Sequence, residues 1–139
     1  ASEEDANLLY SFGEKLGLAF QLQDDLLDVY GDVKVFGKRI GGDIVCNKKT
    51  YMYINTCLLA SDEERAILAK WAQYEGDDVD AKIEAVKGVY DSVGIKGKAE
   101  AKIEELFNEA MSLLNKVSVL EEKKSVLREY ALSLMNRVL

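Results

Sequence analysis

Asp24, Asp25 and Asp28 place three carboxylates within the nine residues Phe20-Gln-Leu-Gln-Asp-Asp-Leu-Leu-Asp28. At the α-helical repeat of about 100° per residue, Gln21, Asp24, Asp25 and Asp28 share one stripe. Leu9, Phe12, Leu16, Ala19, Phe20 and Leu27 fall on roughly the opposite side. Carboxylates held that close repel one another unless a cation sits among them. The donor set is all oxygen, with no His in the chain and no Cys nearby, which suits a hard cation such as Mg2+. Taken alone, the same pattern also describes a solvated helix face.

The next stretch adds positive charge. Residues 31–48 hold Gly31, Gly37, Gly41 and Gly42, four of the ten glycines, together with Lys34, Lys38, Arg39 and Lys48. Flexible backbone, amides and ammonium groups beside a carboxylate cluster are expected to form a lid over a phosphate–metal complex. A solvated basic loop is the alternative. The spacing of a nucleotide P-loop is absent.

These groups need rigid elements to hold them. The 139 residues include no proline and are rich in Ala, Leu, Glu and Lys, so the fold class is all-α, an antiparallel helical bundle. A first helix is expected from Ser2 or Glu3 to about Tyr30, interrupted by Gly13 and Gly17, which mark either a close helix crossing or room for a ligand. Further helices are expected over about 50–60, from a capping box at Ser61 and Glu64 to about Gly76, over 79–93 behind N-capping aspartates and ahead of Gly94, over 96–117, and from a second capping box at Ser118 and Glu121 to about Val138. No linker divides residues 1–139, so one domain is expected.

A formal net charge of −7 argues against a nucleic-acid surface. No apolar run reaches about 18 residues, so no membrane span is expected. Two cysteines, Cys46 and Cys57, are too few for a disulfide framework and are read as reduced thiols of a cytoplasmic protein. The chain opens on Ala1 directly into helical sequence, as a piece of a longer polypeptide would.

Phe20-Gln21-x-x-Asp24-Asp25-x-x-Asp28, then Gly37-Lys38-x-x-Gly41-x-Asp43-Ile44 and Lys48-x-Thr50, resembles the trans-isoprenyl diphosphate synthases, the farnesyl and geranylgeranyl diphosphate synthase type also called polyprenyl synthetases. The likeness covers about residues 10–52, and the later helices fit the C-terminal layout of that all-helical isoprenoid synthase fold. It implies prenyl chain elongation, in which an allylic diphosphate ionises and the alkene of isopentenyl diphosphate attacks. It implies Mg2+ on the second aspartate-rich motif, with Asp24 a direct ligand and Asp25 and Asp28 completing the set. By the same resemblance Lys38 and Lys48 meet the allylic diphosphate, Phe20 and Gln21 face the substrate, Gln21 and Lys38 serve catalysis, and the intact protein is a homodimer.

The sequence departs from the pattern at Asn47, where many members have Gly, at Gly42, where some have Thr, and after Thr50, where no proline follows. The family's first aspartate-rich motif has no counterpart here, nor do the upstream residues that bind isopentenyl diphosphate. The chain therefore resembles the C-terminal half of a synthase and is expected to be inactive alone. The other readings are a non-catalytic helical partner or regulatory subunit of such a synthase and, more distantly, a terpene cyclase.

Overall fold

The computed structural model describes residues 3–31, 41–117 and 121–135, with side chains to residue 133. Among these residues the structure is all-α, with seven helices and no strand: α1 (Glu3–Tyr30), α2 (Gly42–Val45), α3 (Tyr51–Leu59), α4 (Asp62–Ala72), α5 (Val79–Val93), α6 (Ile95–Asn115) and α7 (Glu121–Met135). The boundaries reflect local chemistry. Thr50 caps α3 through the Tyr53 amide, and Ser61 and Glu64 cap α4 reciprocally. Asp78 caps α5 through the Ala81 amide, and Gly94 ends it at φ 70°. α4 stops at Ala72, short of Gly76. Within the segment expected to be irregular, Gly42–Val45 forms one helical turn. The central part of the expected lid, with Lys34, Lys38 and Arg39, lies outside the described residues, as does Ser118.

The chain forms two compact units. One lies within Ala1–Gln23 and Glu100–Val138. Its core is Phe12 and Leu16 of α1, Ala110 and Leu114 of α6 and Ala131 of α7. Lys15 and Glu109 form an ion pair at 2.9 Å on its surface. Gly13 and Gly17 do not mark a tight crossing, because a Cβ at either would meet nothing within 4 Å. They line an open, largely apolar cavity of about 400 Å³ together with Phe12, Leu16, Phe20, Leu127 and Tyr130.

The other unit is Asp24–Ala99, in which α5 packs against α2, α3 and α4. Lys82, Ile83, Val86, Val89 and Tyr90 of α5 are buried, and the i+3 and i+4 steps from 82 and 83 through 86 to 89 and 90 make them one stripe. Gly41 sits against this helix at φ 98°, where a Cβ would come within 2.8 Å of Ile83, so both the backbone and the space require glycine. Tyr90 is buried, and that burial holds its hydroxyl above the usual phenol range. Cys46 and Cys57 are both free thiols. No helix among the described residues is long and apolar enough to cross a membrane.

Candidate functional site

α1 carries the acidic motif on its last two turns. Asp24 and Asp28 lie one turn apart and are half-buried, so both reach solvent from one side of the helix. Asp25, expected on the same open stripe, is 6% exposed. The single apolar face read from the sequence holds for Phe12, Leu16, Ala19 and Leu27. It fails over the last turns because Leu26, Leu27 and Val29 are all buried, so α1 is enclosed on most sides there and Asp25 goes in with them. Among the described residues, no three acidic, His or Cys side chains gather as a ready metal cage. The open acidic pair is Asp24 and Asp28.

Asp28 is fixed by the turn that starts at Gly41. Its Oδ2 accepts the backbone amide of Asp43 at 2.8 Å, and its carbonyl accepts the Gly41 amide at 2.6 Å. The one-turn helix α2 is thereby seated on the end of the acidic motif. A Cβ at Gly42 would stand 3.6 Å from Asp28 Oδ1, so the glycine found there leaves the carboxylate uncovered. Asp43 in turn faces Lys48, with Oδ1 3.9 Å from Nζ. An exposed pair at that separation is worth little, so Lys48, whose side chain is 53% exposed, is placed mainly by its backbone.

That backbone is a Schellman ending of α2. The Lys48 amide donates to the Asp43 carbonyl at 2.9 Å and the Asn47 amide to the Ile44 carbonyl at 3.1 Å. The motif needs a left-handed residue, and Asn47 supplies it at φ 55°. This explains the departure at Asn47: the position favours Gly, and Asn is the side chain that best tolerates such a φ. Three residues after Asn47, Thr50 is buried and caps the start of α3.

The structure thus brings Asp28, Asp43 and Lys48 into one bonded sequence, with Asp24 one turn away. Sequence alone gives Asp43 no role beyond its place in the Gly41-x-Asp43-Ile44 motif; in the structure its amide and carboxylate link the acidic and basic groups. Gln21 is exposed on α1 and Phe20 is half-buried, lining the apolar cavity of the first unit. Lys38 lies outside the described residues.

The profile of the Polyprenyl synthetase family matches residues 1–89, which contain this whole constellation. The chain belongs to the polyprenyl synthetase family. A farnesyl pyrophosphate synthase of Mus musculus is 34% identical over 116 residues, covering 84% of this chain and 31% of the relative. A geranylgeranyl diphosphate synthase of Sulfolobus acidocaldarius is 40% identical over 70 residues, covering 50% of this chain and 21% of the relative. Among solved structures, a geranylgeranyl pyrophosphate synthase superposes with a TM-score of 0.87 at 34% identity, over 100% of this chain and 43% of the other. The Corynebacterium glutamicum geranylgeranyl pyrophosphate synthase, solved with isoprenyl diphosphate and magnesium, gives 0.86 at 26% identity, over 99% of this chain and 39% of the other. The all-helical fold is that of the isoprenoid synthases. The chain spans less than a third of the length of these curated relatives and less than half of these solved chains.

Proposed function

We propose that this chain supplies the diphosphate-binding half of a prenyl-elongating synthase, which condenses an allylic diphosphate with isopentenyl diphosphate. The observation that carries this reading is the linkage of Asp28 to Lys48 through Asp43, beside Asp24. It sets cation-binding carboxylates next to an exposed ammonium, the complement of a metal-bound diphosphate.

The residues fit Mg2+. Mg2+ takes one or two carboxylates and leaves its other positions to water and phosphate. Two half-buried carboxylates, with no closed cage of acidic side chains around them among the described residues, meet that demand. Asp24 and the Asp28 oxygen not used by the Asp43 amide would hold the ion, and Asp25 would support them from within. When bound, Mg2+ neutralises charge on the leaving diphosphate. Lys48 and Lys38 would pair with diphosphate oxygens, stabilising the negative charge that grows as the allylic C–O bond breaks with its electron pair leaving on oxygen. Gln21 and Phe20 would face the allylic group. The π electrons of the isopentenyl diphosphate alkene would then form the new C–C bond to the allylic cation, and the resulting carbocation would lose a proton to the released pyrophosphate or water. The free thiols Cys46 and Cys57 accord with a reducing, cytoplasmic setting, and a homodimer is the assembly we assign to the intact protein.

The test is to incubate the full-length product of the gene with Mg2+, isopentenyl diphosphate and geranyl diphosphate. Longer prenyl diphosphates are expected, with Asp24→Ala lowering kcat about a hundredfold or more, the scale of losing one strong electrostatic contact to a developing anion. An active protein indifferent to Asp24→Ala would sink the site assignment, and a folded protein making no product would sink the reaction.

A further inference from the structure

Lys82 is 4% exposed, on a helix that supplies neither the acidic motif nor Lys48. An ammonium withdrawn from water is costly unless it is bonded. Lys82 Nζ donates to Asn47 Oδ1 at 2.7 Å and to the Val45 carbonyl at 3.3 Å. Val45 is the last residue of α2, so its carbonyl is one of those a helix C-terminus leaves unpaired, and a cation there is favoured. Asn47 is a junction. While its Oδ1 takes Lys82, its Nδ2 donates to the carbonyl of Ala72, the last residue of α4, at 3.1 Å. The peptide immediately after Asn47 carries Lys48.

An apolar side chain at position 82 would pack α5 as well as Ile83 and Val86 do, but it would not grip the end of α2. We infer that Lys82 is a positioning residue. Through Asn47 and Val45 it fixes the Schellman turn that aims Lys48 and presents the Asp43 amide to Asp28. The catalytic part of this inference rests on the proposed function, since it requires Lys48 to meet the diphosphate. The mechanical part does not. The role assigned to Lys82 requires no contact of its own with substrate. Its effect passes through Lys48, and this distinguishes it from a residue that only stabilises the fold.

The experiment uses the full-length product of the gene with two substitutions. Lys82→Met fills similar space without the ammonium. Asn47→Gly suits φ 55° while deleting the acceptor, and it keeps the inference testable if Lys82→Met does not fold. Each is measured alone and in a Lys48→Ala background, as kcat/KM for geranyl diphosphate. A loss of about tenfold or more with Lys48 present, shrinking to less than about threefold without it, is expected from coupling through Lys48. Equal losses in both backgrounds, or no loss in either, would overturn the positioning role. Hydrogen exchange of the Lys48 amide is the second readout. It should quicken about tenfold or more in Lys82→Met, and unchanged protection would overturn the clamp itself. A wild-type protein that makes no prenyl product would count against the proposed reaction, and the exchange result would still decide whether Lys82 holds the turn.

Discussion

In sequence Asp28 is one carboxylate of three; in the structure it does more than face solvent. Asp28 has a structural duty, because its carboxylate receives the Asp43 amide that seats α2. Removing it leaves that half-buried N–H unpaired, so Asp28→Ala should cost stability by about 1–2 kcal/mol as well as activity. Urea midpoints beside turnover check this, and an Asp28→Ala midpoint equal to that of the wild type would contradict it. Glu64 offers a second test at this scale. The Ser61 amide, and then the side chains of Ser92 and Ser61, hold its carboxyl below its ordinary value of 4.5. A group depressed on folding contributes stability that is present above the unfolded value and is lost as pH falls through the folded one. Glu64→Gln keeps a capping-box acceptor without the titration. Its stability should therefore fall less than that of the wild type between about pH 7 and pH 3, as tracked by urea midpoints; an identical fall would show that the capping carboxylate does not contribute. Of the candidate site, the sequence offers Asp24, Asp28 and Lys48 through type and spacing. The burial of Asp25 and the reach of Lys82 to Asn47 are not readable there, because both depend on which helices enclose a position and not on its neighbours in the chain.

At the scale of elements, what can be read is what local chemistry dictates. The capping box at Ser61 and Glu64, the aspartate cap at Asp78 and the stop at Gly94 all arise from residues close in sequence to the boundary they set. The one-turn helix α2 escapes such reading. It is too short to show a period, and its support comes from Asp28 and Lys82, 15 and 37 residues away from their respective partners Asp43 and Val45. Two glycines predict opposite outcomes. Gly17 is helical with nothing within 4 Å of an added Cβ, so Gly17→Ala should stabilise the protein by about 0.5–1 kcal/mol. Gly94 has equal space but a φ of 70°, so Gly94→Ala should destabilise it by about 1–2 kcal/mol. Thermal unfolding of the two variants checks the pair, and shifts of the same sign would contradict it. Gly17→Ala also places a methyl at the cavity lined by Phe20, so a narrower range of prenyl products at higher stability would link that cavity to the prenyl chain.

At the scale of the whole molecule, family membership and length pull in different directions. The constellation from Asp24 to Lys48 lies within the residues matched by the family, yet the chain covers 31% of the mouse relative and 43% of a solved synthase. On the proposed reading, one aspartate-rich motif and its lysines would hold one side of a metal diphosphate, and the proposed reaction would need the other side too. The 139 residues by themselves should therefore turn over at least about a thousandfold more slowly than the full-length product of the gene, since several strong contacts to the leaving group are lost together. Turnover within about tenfold would contradict this. The central claim, that Asp24 and Asp28 hold the metal of a diphosphate complex, is tested most directly by a crystal structure of the full-length product grown with Mn2+ and pyrophosphate, using the metal's anomalous signal. A peak about 2.0–2.3 Å from an Asp24 oxygen, with Asp28 at the same ion directly or through water and Lys48 on the pyrophosphate, is the predicted result. A pyrophosphate-bound metal held entirely by other residues, with Asp24 and Asp28 facing only solvent, would contradict it.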